Sequence, residues 1–259
     1  MFGAIVGDIV GSPYEFGSWK SKDFPLLMPN SGPTDDSIMT IAVGIACVEA
    51  NCECEDEFKR VLVQKMHELG QQYPDAGYGG MFEEWLLEGK TEPYGSFGNG
   101  SAMRVAPVAW VAESLEDAER LAKWSAEVTH DHPAGICGAQ AVAAAIYLAR
   151  TGADKEKIRS YIEETYYDLD FTLDQIRPGY KFDVTCQGSV PQAIRCFLEA
   201  EDFEDAIRNA VSLGGDCDTQ AAMAGAIAEA YWGIPEEIRE AVMSRLDDTL
   251  LEYLDQCLE

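Results

Sequence analysis

Apolar residues recur at three- and four-residue intervals along most of this chain, the spacing that lines one face of an α-helix. Ile38, Ile41, Ala42, Ile45 and Val48 form one such stripe, and Phe58, Val61, Leu62, Met66 and Leu69 form the next. The same period predicts helices over 81–88, 101–113, 116–128, 134–150, 154–167, 189–200, 203–213, 219–232 and 235–257. Strand-like alternation is confined to Phe182-Asp183-Val184-Thr185. The stretches 41–48, 139–149 and 221–230 are dense in alanine and glycine, which lets helix backbones approach closely in a crowded interior. No low-complexity linker divides the chain, and no repeat of solenoid period is present. The loosest region, 168–188, holds Pro178-Gly179 and Gln187-Gly188 and reads as a surface excursion. The pattern predicts an all-α fold, one compact multi-helix domain over residues 1–259.

Charge narrows the partners. Nineteen Lys and Arg stand against 46 Asp and Glu, a formal net charge of −27. Such a chain has no cationic excess with which to release phosphate counterions, so a broad nucleic-acid or anionic-membrane surface is excluded. Apolar residues make up 47%, too many for a disordered acidic polymer. The longest uncharged stretch, 133–149, is rich in alanine and glycine, contains Gln140 and falls short of the roughly 20 residues of a membrane span. At the start, Asp8 interrupts an apolar run and no basic residue precedes Lys20, the reverse of a secretory leader. The eight cysteines form no C-x-x-C pair, and several sit in apolar helical patterns. Free buried thiols in a reducing cytoplasm are expected, rather than disulfides or a zinc site.

Polar residues cluster where apolar helices begin. Thr34-Asp35-Asp36-Ser37 opens the first long helix, and Gly214-Gly215-Asp216-Cys217-Asp218-Thr219 opens the alanine-rich helix near the C-terminus. Either segment alone is accounted for by N-capping. Yet a cap needs one side chain and each segment supplies three, all oxygen ligands. If the two helix starts converge, four carboxylates share a small volume and raise one another's pKa unless a cation compensates. Oxygen donors without thiolate or imidazole suit Mg²⁺, Mn²⁺ or Ca²⁺ rather than zinc. Two such ions about 3.5–4 Å apart could be held, as in binuclear hydrolytic sites.

Three further segments carry candidate chemistry. The loop Gly95-Ser96-Phe97-Gly98-Asn99-Gly100 precedes a predicted helix, and its glycines allow backbone N–H groups to approach an anion such as a diphosphate; an ordinary turn with a cap is the plainer alternative. His130, in Thr129-His130-Asp131-His132-Pro133, could donate to a phosphate or simply face a helix C-terminus. Gly7-Asp8-Ile9-Val10-Gly11-Ser12-Pro13-Tyr14-Glu15-Phe16 adds the carboxylate of Glu15 beside small residues that permit close packing.

Taken in order, GDIVGSPYEF (7–16), TDDSIMT (34–40), GSFGNGSAMRVAP (95–107), THDHP (129–133) and GGDCDTQAAMAGAIAEAYWG (214–233) resemble the ADP-ribosylglycohydrolase family. The resemblance implies an all-α fold with a binuclear magnesium or manganese centre held by Thr34, Asp35, Asp36, Asp216, Asp218 and Thr219. It implies that Glu15 is a base or water-positioning group and that Asp35 and Asp36 take part in catalysis. The loop Gly95, Ser96, Phe97, Gly98, Asn99 and Gly100 would hold diphosphate and ribose, with His130 on a phosphate. The implied activity is hydrolysis of the glycosidic bond at the distal ribose of an ADP-ribosylated protein or small molecule, releasing ADP-ribose. Arginine, serine, a nucleobase, a guanidine or an O-acetyl ester are all admissible leaving groups. The alternative is an inactive member of the same fold that binds ADP-ribose or serves structurally. Asp216-Cys217-Asp218-Thr219 also superficially resembles the aspartyl nucleophile motif of haloacid-dehalogenase-type phosphatases, but that motif follows a strand, and here it opens a late helix. Cys217 departs from the family pattern.

Overall fold

The computed structural model describes residues 1–17 and 19–258. Among the described residues fifteen α-helices follow one another: α1 (Phe2–Gly11), α2 (Asp35–Glu49), α3 (Glu55–Gln72), α4 (Gly80–Leu87), α5 (Gly100–Met103), α6 (Ala106–Val111), α7 (Leu115–Glu127), α8 (Pro133–Arg150), α9 (Lys155–Thr165), α10 (Leu173–Ile176), α11 (Cys186–Glu199), α12 (Phe203–Val211), α13 (Cys217–Trp232), α14 (Glu236–Met243) and α15 (Asp248–Leu258). A 3₁₀ turn, Ser12–Tyr14, extends α1. Among the described residues no strand forms, and no helix is long and apolar enough to cross a membrane.

At the centre α1 lies against α13, with α8, α11 and α12 packed around α13 and α2 beside α1. All ten residues of α1 are buried. Gly3, Gly7 and Gly11 recur every four residues and therefore share one face of the helix. A Cβ on Gly3 would lie 2.3 Å from the Gly225 carbonyl oxygen, one on Gly7 2.0 Å from that of Ala221, and one on Gly11 2.4 Å from the Asp218 Cα. The seam is thus backbone against backbone. It costs helix propensity at three glycines, about 0.5–1 kcal/mol each, and returns an approach that no side chain allows. One consequence is positional: Asp8, between two of these glycines, comes beside the start of α13.

Local sequence sets the other helix starts. Thr34 caps α2, its hydroxyl accepting from the Asp36 N–H at 3.4 Å. Ser114, Asp154 and Asp202 cap α7, α9 and α12 in the same way. Pro133 stands at the first turn of α8, where its missing N–H is no loss. The core that results is continuous, running from Phe2 and Ile5 through Ile41, Phe58 and Trp85 to Phe197, Met223 and Leu250.

Four expectations are corrected. Residues 2–11 form a helix that the periodicity does not predict, because a helix buried all round has no polar face to reveal it. The helix expected over 101–113 is two short ones, interrupted at Arg104 and Val105 ahead of Pro107. That expected over 235–257 breaks between Met243 and Asp248. Phe182–Thr185 is no strand; it contributes one isolated antiparallel bridge, Gly98 with Thr185.

Candidate active site

The two aspartate segments do converge. The Thr219 hydroxyl, at the start of α13, donates to the Asp36 carboxylate in the first turn of α2 at 3.1 Å, across 183 positions of sequence. Asp8, Asp36 and Asp218 each offer an oxygen within 4.8 Å of the others, and Glu15, Asp216 and Asp218 do the same. Asp218 belongs to both groups. The two groups are therefore neighbours rather than separate sites.

Asp8 is the residue that sequence reasoning missed. It is fully buried and accepts from the Thr34 N–H (2.9 Å), the Thr34 hydroxyl (2.6 Å), the Ser37 N–H (3.1 Å) and the Ser37 hydroxyl. These bonds lock the start of α2 to α1. A signal did exist: an aspartate in the middle of a run as apolar as 2–11 must find partners or a cation on folding. Thr34 is accordingly a cap and a donor to Asp8. Asp35 lines the cavity, but its carboxylate belongs to neither three-residue group.

Electrostatics mark the cluster as incomplete. Burial raises Asp8, Asp36, Asp216 and Asp218 above the ordinary carboxylate range, and Asp218 and Asp8 push Asp36 higher still. Asp35 is raised by burial and then by Asp8 and Asp216. Glu15, half-buried at the rim, is pushed up to about 7 by burial and by Asp216 and Asp8. Among the described residues no Lys or Arg forms an ion pair with any of the six. Asp36 also keeps a buried carboxylate oxygen with no hydrogen-bond partner. A dense set of hard oxygens with an orphaned acceptor fits a divalent cation.

Glu15, Asp35, Asp36, Asp216 and Asp218, though not the more deeply buried Asp8, line one part of a cavity of about 490 Å³. The other part is lined by Tyr94, Ser96, Gly98, Asn99, Gly100, Met103, Arg104 and His130. The glycine loop is held by Val184 and Cys186: the Asn99 N–H donates to the Val184 carbonyl (2.8 Å) and the Cys186 N–H to that of Phe97 (3.0 Å). Among the described residues the N–H groups of Gly100 and Ser101 have no acceptor. Asn99 faces the acidic end, its amide donating to Asp216 at 2.6 Å. Gly95 and Phe97 stand outside the lining; the Gly95 N–H donates to Asp131 (2.7 Å), and the Phe97 ring lies 5.4 Å from that of His132. At the rim beside Glu15, Phe16 stacks on Phe182 with ring centroids 5.8 Å apart.

Fold and site together define an all-α protein whose chemistry rests on carboxylates gathered at two helix starts beside a glycine-loop cradle. The family profile described as ADP-ribosylglycohydrolase matches residues 1–259, and the chain belongs to that family. It is similar to the ADP-ribosylhydrolase ARH3 of Mus musculus, at 30% identity over 92% of this chain and 84% of that one. It is also similar to the ADP-ribosylarginine hydrolase Tri1 of Pseudomonas putida, at 26% identity over 98% of this chain and 76% of the relative. Among solved structures, an ADP-ribosylglycohydrolase-related protein complex matches with a TM-score of 0.67 at 21% identity, covering 99% of this chain and 94% of that one. That likeness bears on the fold.

Proposed function

We propose that this protein hydrolyses the glycosidic bond at the distal ribose of an ADP-ribosylated protein or small molecule, using two divalent cations, Mg²⁺ or Mn²⁺. The observation that carries the reading is the pair of carboxylate groups sharing Asp218 beside the cavity, with which no Lys or Arg forms an ion pair among the described residues. Asp36, Asp216 and Asp218 would hold the ions, with Thr34, Asp35, Thr219 and Asp8 completing the set of oxygens around them. Bound there, the ions supply Lewis acidity at the ribose hydroxyls and neutralise the cluster.

The chain's own groups account for the rest. Asn99 spans the two ends of the cavity, holding Asp216 while its backbone sits in the glycine loop. The loop and His130 offer uncharged donors to a diphosphate, which an acidic protein needs because its net charge repels one. Cleavage at an anomeric carbon passes through an oxocarbenium-like state, stabilised by the negative end of the cavity. Glu15 stands at the rim beside Asp216 and Asp218, placed to take a proton from the attacking water. That water's oxygen bonds to the anomeric carbon as the bond to the leaving group breaks, and the proton passes to the departing atom. The eight cysteines are free, which supports a reducing compartment such as the cytoplasm.

The test is a panel of defined ADP-ribose conjugates, on arginine, serine and acetate esters, assayed with each ion and scored for free ADP-ribose. Release with at least one conjugate, abolished by chelator, is expected. Calorimetric binding of ADP-ribose without turnover of any conjugate would instead assign an inactive binding module.

A further inference from the structure

Arg104 is buried and forms no ion pair among the described residues, a costly state for a guanidinium. Its terminal nitrogen donates to the Ser125 carbonyl at 3.2 Å and to the Thr129 hydroxyl at 2.8 Å. Arginine can only donate, so the Thr129 oxygen is the acceptor in that bond. The same oxygen lies 2.7 Å from Nδ1 of His130. The Tyr94 phenol also approaches the Thr129 hydroxyl, but the short contact, 2.7 Å, is to Nδ1, and we take the hydroxyl proton to be directed there.

A neutral imidazole that accepts at Nδ1 carries its proton on Nε2. Nε2 takes part in no hydrogen bond among the described residues, and it faces the glycine loop. A Cβ on Gly100 would lie 3.2 Å from it and one on Gly98 3.5 Å. The ring's free donor is thus aimed at the backbone that lines the cradle. We propose that Arg104 and Thr129 form a relay that fixes His130 in the Nε2–H tautomer, making it a permanent donor to an anion seated on Gly98–Gly100. Burial and the nearby Arg104 charge both hold the imidazole below its ordinary pKa, so the ring donates without being charged. Thr129 is then a positioning residue, acting through His130. The inference rests on reading the loop as the diphosphate cradle of the proposed function.

The tautomer and the ligand are read separately. In protein labelled with ¹⁵N-histidine, long-range proton–nitrogen correlations report which ring nitrogen is protonated, with His130→Asn assigning the signals. The expected wild-type pattern is a bare Nδ1 and a protonated Nε2. Thr129→Val, which keeps the shape and removes the hydroxyl, should lose that pattern and weaken ADP-ribose binding about tenfold. Thr129→Ser should restore both. A wild-type ring protonated on Nδ1 overturns the proposal even if Thr129→Val does not fold. So does a folded Thr129→Val that keeps the tautomer and the affinity. Should the wild type show the expected tautomer yet bind no ADP-ribose, the relay stands and the reading of the loop falls.

Discussion

At one end of the cavity five carboxylates crowd together with Asp8 buried behind them, raised by burial and mutual repulsion and left with an unpartnered oxygen on Asp36. At the other end the donors are neutral, with the buried Arg104 guanidinium beneath His130. Under the proposed function the first end takes up cations and the second an anionic diphosphate. An acidic protein can therefore hold an anionic ligand without a basic surface, provided the positive potential is local and partly borrowed from ions. The same comparison explains why the acidic end is the less tolerant of change: each carboxylate there answers to several others, while the cradle depends mainly on backbone.

Removing a carboxylate should have the largest effect. Asp218 serves both acidic groups, so Asp218→Asn should lower hydrolysis by roughly a hundredfold or more, since even outer-shell partners of a metal cost 10–100-fold. Steady-state release of ADP-ribose measures it; an unchanged rate would dissolve the distinction between the two ends. Next comes the seam that brings Asp8 to the site. Gly7→Ala gains helix propensity of about 0.5–1 kcal/mol, but its Cβ meets the Ala221 carbonyl oxygen at 2.0 Å, backbone that cannot turn aside. Overpacking of about 1–3 kcal/mol should win, visible in a denaturant titration. Asn99 links the two ends, and Asn99→Ala should cost about tenfold in kcat/KM by freeing Asp216.

The smallest effect is in pH, and there the two ends oppose each other. With ions chelated, the carboxylates hold folded-state values above their ordinary ones. Their contribution to stability is therefore present at low pH and is lost as pH rises from the ordinary carboxylate range through about 7, where Glu15 lies. His130 is held below its ordinary 6.5, so its contribution is present above that value and is lost as pH falls. Melting temperature of the chelated protein should fall with rising pH, and saturating Mg²⁺ should flatten that slope. His130→Gln should remove only the acid-side loss. A variant that changed the alkaline side as well would break the separation.

Much of this was legible in the chain. The stripes from Ile38 to Val48 and from Phe58 to Leu69 lie in α2 and α3; α3 buries one face, whereas α2 is buried all round from Asp36 to Cys47 and leaves Val48 exposed. Thr34-Asp35-Asp36 and Asp216-Cys217-Asp218-Thr219 stood out because they carry more oxygen than capping requires, and the structure brings both to one place. Asp8 did not stand out. Its helix has no polar face and spends three of ten positions on glycine, which local propensity scores against a helix although tertiary contact demands it. The breaks near Pro107 and between Met243 and Asp248 were hidden because apolar periodicity runs on across them. The relay through Thr129 needs Arg104 and His130 at known distances, and no spacing along the chain supplies those.

The glycine seam also sets a rule for how this segment can change length. Each residue of a helix turns its neighbours by about 100°, so one insertion or deletion between Phe2 and Gly7 would swing either the glycines or Asp8 off the face each now occupies. Substitutions elsewhere on α1 can be absorbed by neighbouring side chains, but a shift of register cannot. The first eleven residues act as a gauge for the site, and lineages of this protein should vary in length almost anywhere before they vary there.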